Sequence, residues 1–282
     1  MKDCKEEFPI IGIQEFGKKS PNQTILYHEL FGLQHIEYPH KHDFFILNLF
    51  LKGKGEHFID FKKYQIKDHQ LHLLFPGQVH EWNMDETTEG YQLMISNERL
   101  EEMMPYFNHP KILYQTQPVI DLKNYELNSL LSAVLYIRED LIQEKIQWEI
   151  VKKRTELIAL MISHAAEQVF GDFKKLNEHP LLAKFYDLID THFNTQRSVS
   201  FYADYLNITA NYLNILCRKN LNISASELIQ NRILLEAKRL LKGSNKSIKD
   251  IVYDLGFYDH ASFSKFFKTK TGLTATEFKD LH

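Results

Sequence analysis

Two stretches of the chain carry the same pattern: residues 198–208 read SVSFYADYLNI, and residues 247–257 read SIKDIVYDLGF. Each begins with serine, a preferred helix N-cap residue, and continues as a short segment with apolar positions spaced for one helix face. Each then reaches Asn207 or Gly256, the two residue types that enter the left-handed backbone region at the lowest cost. The pattern predicts a short helix and a sharp turn in both copies.

The repeat continues beyond the turn, where the offset between the copies grows from 49 to 50 residues. A second helix is predicted over 210–220 in the first copy and over 260–271 in the second. The matched pairs are Leu213 and Phe263, Leu216 and Phe266, Arg218 and Lys268, Ile223 and Leu273, Ala225 and Ala275, Glu227 and Glu277, and Leu228 and Phe278. Helix, tight turn and helix is the helix-turn-helix layout. The alternative is a plain helical hairpin, which the duplication disfavours.

The segment between the copies is predicted to be one long helix. Ser224 with Glu227, and Thr274 with Glu277, have the spacing of capping boxes. The helix that starts at Ser224 is expected to end at Gly243, as a C′ glycine. About 18 residues at ~1.5 Å each span ~27 Å. Such a helix could hold two recognition helices about one DNA turn, or ~34 Å, apart.

The C-terminal third resembles the AraC-type transcription regulators. The segments that carry the resemblance are 247–252, 255–257, 263–268 and 271–274. The resemblance covers about residues 180–282 and implies two helix-turn-helix subdomains joined by a linker helix, which read adjacent major-groove segments of promoter or operator DNA. It also implies that the protein acts with the transcription machinery. We predict no catalytic residue, no cofactor and no bound metal.

Exposed side chains near the start of a recognition helix reach base edges, and cations further along it meet phosphates. The predicted DNA-binding residues are Asn211, Asn214, Ile215, Arg218 and Lys219 in the first copy and His260, Ala261, Ser264, Lys265 and Lys268 in the second. Asparagine suits adenine, lysine suits guanine, and isoleucine can touch a thymine methyl. Members of the family usually carry Arg where this chain has Ile215. Packing roles are predicted for Tyr212 and Cys217, and an ion-pair role for Arg232.

The overall composition fits a two-domain protein. The chain has 282 residues, of which 44% are hydrophobic and 25% charged. Residues 1–177 carry 20 Lys and Arg against 26 Asp and Glu, whereas residues 178–282 carry 14 against 11, so the basic excess lies at the C-terminal end. No apolar run is long enough to cross a bilayer. Cys4 and Cys217 are far apart in sequence, which indicates a reducing compartment; we predict a cytoplasmic protein without membrane contact.

The first half of the chain has a strand-like pattern. Between Tyr38 and Ser96, short apolar runs alternate with Gly and Pro turns, which predicts an antiparallel sandwich or barrel. Residues 124–169 then show helical spacing, as two helices or as one with a bend near residues 143–145. The predicted fold is α+β: a cupin-like antiparallel β-barrel followed by helices, and an all-α double helix-turn-helix domain. The predicted domains are 1–120 (ligand sensing), 121–170 (helical dimerisation), 171–180 (linker) and 181–282 (DNA binding).

Two short motifs resemble those of the cupin barrel. The first motif is His40-x-His42, and the second is residues 76–80, which end in His80. In cupins, two histidines of the first motif and one histidine of the second motif bind a metal. The carboxylate expected after the first pair falls at Ile46. The predicted ligand-binding residues are His42, Phe44, Ile46, Asn48, His80 and Trp82. His57 and His72 are either further lining residues or ordinary surface residues.

Three functions remain open at this point. The leading one is a homodimeric regulator whose DNA affinity changes when a small-molecule effector binds in the barrel. The second is a metal-dependent enzyme using His40, His42 and His80. The third is a constitutive regulator with a filled barrel. The helices over 124–169 either pair with a second copy or merely cover the barrel.

Overall fold

The computed structural model describes residues 10–13, 24–35, 39–170, 179–244 and 246–280. They fall in two compact units, one within residues 10–172 and the other within residues 173–282. The predicted linker, 171–180, lies outside the described residues except for its last two positions, and a helix already begins at Pro180. No helix in the described ranges combines the length and hydrophobicity needed to cross a bilayer.

The N-terminal unit is built on two β-sheets. Its strands are β1 (Ile10–Ile11), β2 (Ile25–Phe31), β3 (Gln34–His35), β4 (His40–His42), β5 (Phe45–Lys52), β6 (Gly55–Ile59), β7 (Lys62–Ile66), β8 (Gln70–Leu74), β9 (Val79–Met84), β10 (Glu89–Ile95) and β11 (Val119–Asp121). The first sheet has the order β1-β4-β9-β6-β7, with β3 also paired to β9, and the second has the order β11-β8-β5-β10-β2. Neighbouring strands are antiparallel, as predicted, except that β1 pairs with β4 in parallel.

The strand prediction missed strands at the ends of the sheets. β2 and β11 lie outside the stretch predicted to hold strands, and β7 reads KKYQI, which has few apolar residues. In β2, for example, His28 and Glu29 are exposed. β2, β7 and β11 each end a sheet, where one strand edge has no partner in that sheet. Such strands need fewer apolar side chains, which weakens their signal in the sequence.

Apolar side chains from both sheets form two clusters inside the unit. One cluster consists of Ile13, Phe44, Ile46, Ile59, Leu74 and Met94, and the other of Leu30, Phe50, Ile66, Trp82 and Met84. Because each cluster draws residues from both sheets, both lie between them. Phe44, Ile46 and Phe50 therefore all point into the interior. The opposite face of β5 is buried as well, since Phe45 contacts Phe75 and Phe107.

Helices follow the sheets in the same unit. They are α1 (Asn97–Met103), α2 (Lys111–Thr116), α3 (Asn124–Leu141) and α4 (Trp148–Val169). The predicted helical stretch is thus two separate helices, which pack against each other. The Tyr114 hydroxyl of α2 lies 3.0 Å from the Ser163 hydroxyl of α4, so the buried side of α4 is fixed to the segments that follow the sheets.

The regular secondary structure of the C-terminal unit is helical throughout its described residues. Its helices are α5 (Pro180–His192), α6 (Val199–Tyr205), α7 (Ala210–Leu221), α8 (Ala225–Gly243), α9 (Ile248–Asp254), α10 (His260–Thr271) and α11 (Ala275–Asp280). The long helix α8 buries Ile229, Ile233, Ala237 and Leu241, which are four residues apart and share one face. With that face α8 packs against α5, α7, α9 and α11. Gly243 is the last helical residue rather than the predicted C′ position, and the extended Ser244 ends the helix.

Candidate nucleic-acid interface and interior ligand site

The two helix-turn-helix copies have the same turn. Asn207 (φ 56°) and Gly256 (φ 70°) are left-handed, as the sequence predicts. The next N–H, that of Ile208 or Phe257, donates to the carbonyl five residues earlier at 3.0 Å and 2.9 Å respectively. This is the Schellman arrangement, which satisfies the carbonyls at the end of the first helix. The duplication seen in the sequence is therefore a duplication in three dimensions.

Both recognition helices, α7 and α10, are capped at their N-termini. Thr209 accepts a bond from the Tyr212 N–H at 3.1 Å, and Asp259 accepts one from the Ser262 N–H at 2.7 Å. Such caps contribute about 1 kcal/mol each. Both helices end at a second left-handed residue, Asn222 or Gly272.

The capping boxes after the recognition helices are formed to different degrees. In the second copy, the Thr274 N–H donates to Glu277 Oε2 at 2.7 Å, and the Glu277 N–H donates to Thr274 Oγ1 at 3.2 Å. In the first copy, the Glu227 N–H donates to Ser224 Oγ at 3.2 Å. The reciprocal bond, from the Ser224 N–H to the Glu227 carboxylate, is not among the contacts of the described residues. The prediction of two complete boxes is therefore correct for the second copy only.

The outward face of α7 differs from the prediction at two positions. Its exposed residues are Asn211, Tyr212, Ile215, Arg218 and Lys219. The packing role predicted for Tyr212 is wrong, since the side chain is 46% exposed, whereas Cys217 is fully buried as predicted. Asn214 is half-buried; its amide donates to the Ala210 carbonyl at 3.2 Å and accepts from the Ala225 N–H at 3.1 Å. Asn214 thus ties α7 to the first residue of α8.

The outward face of α10 carries the other predicted contacts. His260, Ala261, Lys265 and Lys268 are exposed. Ser264 is half-buried, with its hydroxyl 3.2 Å from Nδ1 of His260. This face therefore offers two lysines and one imidazole to a ligand.

A contact that was not predicted from the sequence joins the second copy to the segment just before the first. The Arg197 guanidinium, just before α6, lies 3.5 Å from the centre of the Phe257 ring, and it also donates to the Leu255 carbonyl. A Cβ at Gly256 would lie 1.9 Å from the Asn194 carbonyl oxygen. The second turn is thus packed tightly against the segment that leads into the first motif. This contact fixes the second motif relative to the first.

Arg232 of α8 is an ion-pair partner, as predicted. It contacts Asp190 at 2.7 Å and Glu236 at 2.9 Å, and its guanidinium lies 3.9 Å from the Phe193 ring centre. The side chain links α8 to α5 and is occupied within the protein.

Five buried histidines lie between the sheets of the N-terminal unit. Four of them, with Gln70, form the imidazole chain, whose contacts are His42 Nε2 to His80 Nε2 (2.9 Å), His80 Nδ1 to His57 Nε2 (3.1 Å), His57 Nδ1 to His72 Nδ1 (2.9 Å) and His72 Nε2 to Gln70 Oε1 (3.1 Å). The fifth, His40, lies with its ring centre 4.4 Å from that of His80. His57 and His72 are fully buried, which excludes the surface alternative.

The imidazole chain lies between the two apolar clusters. His42 contacts Phe44 of one cluster, while His72 contacts Phe50 and His80 contacts Trp82 of the other. Burial lowers the pKa of His72 to about 3, and burial together with the neighbouring imidazoles holds the pKa values of His57 and His80 well below the ordinary range. These rings are therefore neutral at pH 7.

Two family models match the chain. One, described as a helix-turn-helix domain, matches residues 202–280, and the other, described as an AraC-like ligand binding domain, matches residues 28–144.

The chain belongs to the AraC-type transcription regulators.

Relatives of this AraC-type regulator are themselves regulators. This chain is 23% identical to the HTH-type transcriptional regulator YfiF of Bacillus subtilis, and the alignment covers 86% of this chain and 79% of YfiF. It is 29% identical to the raffinose operon transcriptional regulatory protein RafR of Pediococcus pentosaceus, over 32% of this chain and 33% of that one. The structure of ToxT from Vibrio cholerae aligns with a TM-score of 0.42 at 14% identity, covering 91% of this chain and 97% of ToxT.

The residues predicted to bind a ligand in this regulator are all buried between the sheets. Among them, Asn48 accepts a bond from Gln92 at 2.8 Å. Its Nδ2, like Nε1 of Trp82, is a buried donor that bonds to no acceptor among the described residues.

The histidines of the regulator also satisfy the requirements of a metal site. One nitrogen from each of His40, His42 and His80 lies within 4.8 Å of the others, and all three residues are buried. No carboxylate belongs to this cluster among the described residues. A set of imidazoles alone suits zinc, copper, nickel or cobalt rather than magnesium or calcium. The donor chemistry therefore fits a divalent transition metal, although no metal was predicted.

Proposed function

We propose that this regulator places α7 and α10 in successive major-groove segments of promoter or operator DNA, under the control of a ligand held between the sheets of its N-terminal unit. The duplicated turn geometry carries the proposal, because both motifs present their recognition helices in the same way. The contact of Arg197 with Phe257 supports it, since it fixes the separation of the motifs.

The proposed DNA contacts follow from exposure. They are Asn211, Ile215, Arg218 and Lys219 on α7, and His260, Ala261, Lys265 and Lys268 on α10, with Ser264 positioning His260. The exposed Tyr212 is a further proposed DNA contact. Asn214 is not proposed to contact a base, because the nitrogen and the oxygen of the Asn214 amide both bond within the protein.

Lys265→Ala is expected to weaken binding to a DNA site selected from random sequence by the unmodified protein. Loss of a lysine at a base edge costs about 1–3 kcal/mol and relaxes the preference at one base pair. Lys184→Ala, which removes an exposed lysine from α5, is the matched control and should leave the affinity unchanged. Equal affinities of both variants in a gel-shift titration would remove Lys265 from the interface.

A small ligand in the N-terminal unit is supported by the interior donors. Leaving a buried donor without an acceptor costs about 1–3 kcal/mol, so such groups commonly mark binding sites. The Trp82 ring contacts the rings of His57 and His80, and Asn48 is the strand partner of His72. Together they form a polar layer within an apolar interior, which is the usual construction of a ligand site.

We propose that the regulator is a homodimer paired through α4. Ile150, Leu157 and Leu160 are 42%, 48% and 42% exposed, and their spacing places them on one face of the helix. The opposite side of α4 is buried in its own unit. A second copy of the same face is the partner that would cover these side chains.

Leu157→Glu is therefore expected to convert a dimer into a monomer at micromolar concentration, because the carboxylate would be buried without a counter-charge. Sedimentation velocity measures the change. Leu33→Glu is the control, since Leu33 is 73% exposed in the turn between β2 and β3. Leu33→Glu should remain a dimer, and a dimer that persists in Leu157→Glu would place the interface elsewhere.

No catalytic role is included in the proposal. The matched families and the named relatives are regulators, so the histidines are proposed to bind a ligand rather than to catalyse a reaction. A cytoplasmic location and contact with the transcription machinery follow from this role.

A further inference from the structure

The short segment between α5 and α6, residues 193–197, is attached to several elements, and we call it the bridging segment. The ring centre of its first residue, Phe193, lies 3.9 Å from the guanidinium of Arg232 on α8. The carbonyl of Gln196 accepts a bond from the hydroxyl of Tyr202, in α6, at 2.8 Å. The bridging segment is thus fixed both to α8 and to the first motif.

The last residue of the bridging segment, Arg197, reaches the second motif. Its half-buried guanidinium donates to the Leu255 carbonyl, at the end of α9, and lies 3.5 Å from the centre of the Phe257 ring. Arginine can donate from the plane of its guanidinium while the face of that plane lies on an aromatic ring, and lysine cannot do both. Asn194 lies so close to Gly256 that an added Cβ would be 1.9 Å from the Asn194 carbonyl oxygen. Two residues of the bridging segment therefore hold the second motif.

The two motifs consequently have two separate connections. One is α8, which packs against α7 of the first motif and α9 of the second. The other is the bridging segment, which joins α6 to the turn after α9. A single connecting helix would allow the motifs to rotate about its axis, and a second connection beside that axis opposes the rotation. The contacts around Arg197 therefore help to set the rotation of α10 relative to α7.

This rotation matters because the ligand is itself a helix. A turn of DNA takes about 10–10.5 base pairs and rises about 34–36 Å, so each base pair adds about 3.4 Å and about 35°. A hydrogen bond to a base edge, at about 2.7–3.2 Å, cannot follow such a displacement. A rigid pair of motifs therefore accepts one spacing between the two base-pair segments that it reads, whereas a loosely joined pair accepts several.

We propose that Arg197 is a positioning residue that determines which spacing between its two DNA segments the regulator accepts. It acts without touching DNA, by holding the turn at Gly256 against the bridging segment. The inference rests on the proposed function, because it requires that α7 and α10 read DNA together. Selectivity for spacing then comes from a contact within the protein rather than from an additional base contact.

The test uses the full chain and a DNA site selected from random sequence by the unmodified protein. Derivatives of this site have one or two base pairs inserted or deleted between the two contacted segments, and gel-shift titration gives a Kd for each. One inserted base pair should weaken binding of the unmodified protein about 10- to 100-fold, because the contacts of one motif fall out of register. In Arg197→Leu this penalty should be about tenfold smaller, an ordinary size for coupling between two binding elements. The control Lys184→Leu, on the exposed side of α5, should leave every Kd unchanged.

Arg197→Lys separates positioning from a direct contact with a phosphate. Lysine keeps the charge but not the combined bond and ring contact, so Arg197→Lys should also tolerate the altered spacings. A phosphate contact predicts instead that lysine preserves the affinity and that leucine lowers it by the same factor at every spacing. That result, or an unchanged spacing preference in either variant, overturns the positioning role of Arg197.

Tyr202→Phe is a second, conservative variant, which keeps the test decisive if the Arg197 variants fail to fold. It retains the buried ring and loses only the hydroxyl bond to the Gln196 carbonyl. It should reduce the spacing penalty in the same direction by a smaller factor, and an unchanged penalty overturns the role of the bridging segment. If the unmodified protein selects no DNA, the proposed function fails. If it selects DNA but tolerates every spacing, the inference alone fails.

Discussion

Replacing Gly256 with alanine is expected to cost at least about 3 kcal/mol of the free energy of unfolding of the C-terminal unit and to abolish DNA binding. The left-handed backbone (φ +70°) costs a residue with a side chain about 1–2 kcal/mol. The added Cβ would also lie 1.9 Å from the Asn194 carbonyl oxygen, a backbone atom that cannot move alone. Domains are stable by only about 5–15 kcal/mol, so this loss is large.

Gly272→Ala is the matched control. Gly272 is also left-handed (φ +77°), but no atom lies within 4 Å of an added Cβ. Alanine there should cost only the backbone strain, about 1–2 kcal/mol. Urea unfolding of both variants and their binding to selected DNA measure the difference. Equal costs would mean that the second turn is not packed tightly against the segment around Asn194.

Acid is expected to destabilise the N-terminal unit through His72. Burial lowers the pKa of His72 from about 6.5 to about 3. Between these pH values the unfolded chain binds a proton that the folded chain does not, so stability falls as the pH falls. The loss approaches about 1.4 kcal/mol per pH unit below pH 6 and is roughly 2.3 kcal/mol between pH 6.5 and 4.5. The polar side chains that contact this ring are His57 and Gln70, and Gln70 links it to Asp121.

Urea unfolding between pH 7 and pH 4.5, in the presence of a chelator, measures this dependence. His72→Gln should flatten the slope by about one proton, because glutamine does not titrate and retains a donor and an acceptor. His28→Gln, which changes an exposed histidine, should leave the slope as it is. A slope that is the same with and without His72 would show that the folded and unfolded chains bind the proton on this ring equally, which contradicts the prediction.

The local features of the DNA-binding unit could be predicted from the sequence because they depend on neighbouring residues. Asn207 and Gly256 indicate their turns by residue type, and Thr274 with Glu277 indicates a capping box by spacing. The duplication strengthens each prediction, because residues with the same conformational or capping preference recur at matching positions.

Contacts between distant residues could not be predicted in this way. Asn214 has the spacing of an outward residue, yet its amide meets the Ala225 N–H across a turn. Arg197 lies outside both repeats, and its contact with Phe257 depends on how the two motifs pack. Neither contact leaves a periodic signal.

The interior histidines show the same contrast between features that neighbouring residues determine and contacts between distant residues. His42, Phe44 and Ile46 alternate with their neighbours along one strand and the residues before it, and that local pattern puts them on the same face. His57 and His72 belong to strands of opposite sheets, and their contact appears only when the sheets face each other. A histidine has an intermediate tendency to be buried, so its type does not decide between surface and interior.

Hydroxyl-radical footprinting of the full chain, on a site selected from random DNA, tests most directly whether both motifs read DNA together. Two protected segments on one face of the duplex, with centres about 10 base pairs apart, are predicted, and Gly256→Ala should lose both. A single protected segment, or protection without sequence preference, would contradict the joint insertion of α7 and α10 into successive grooves.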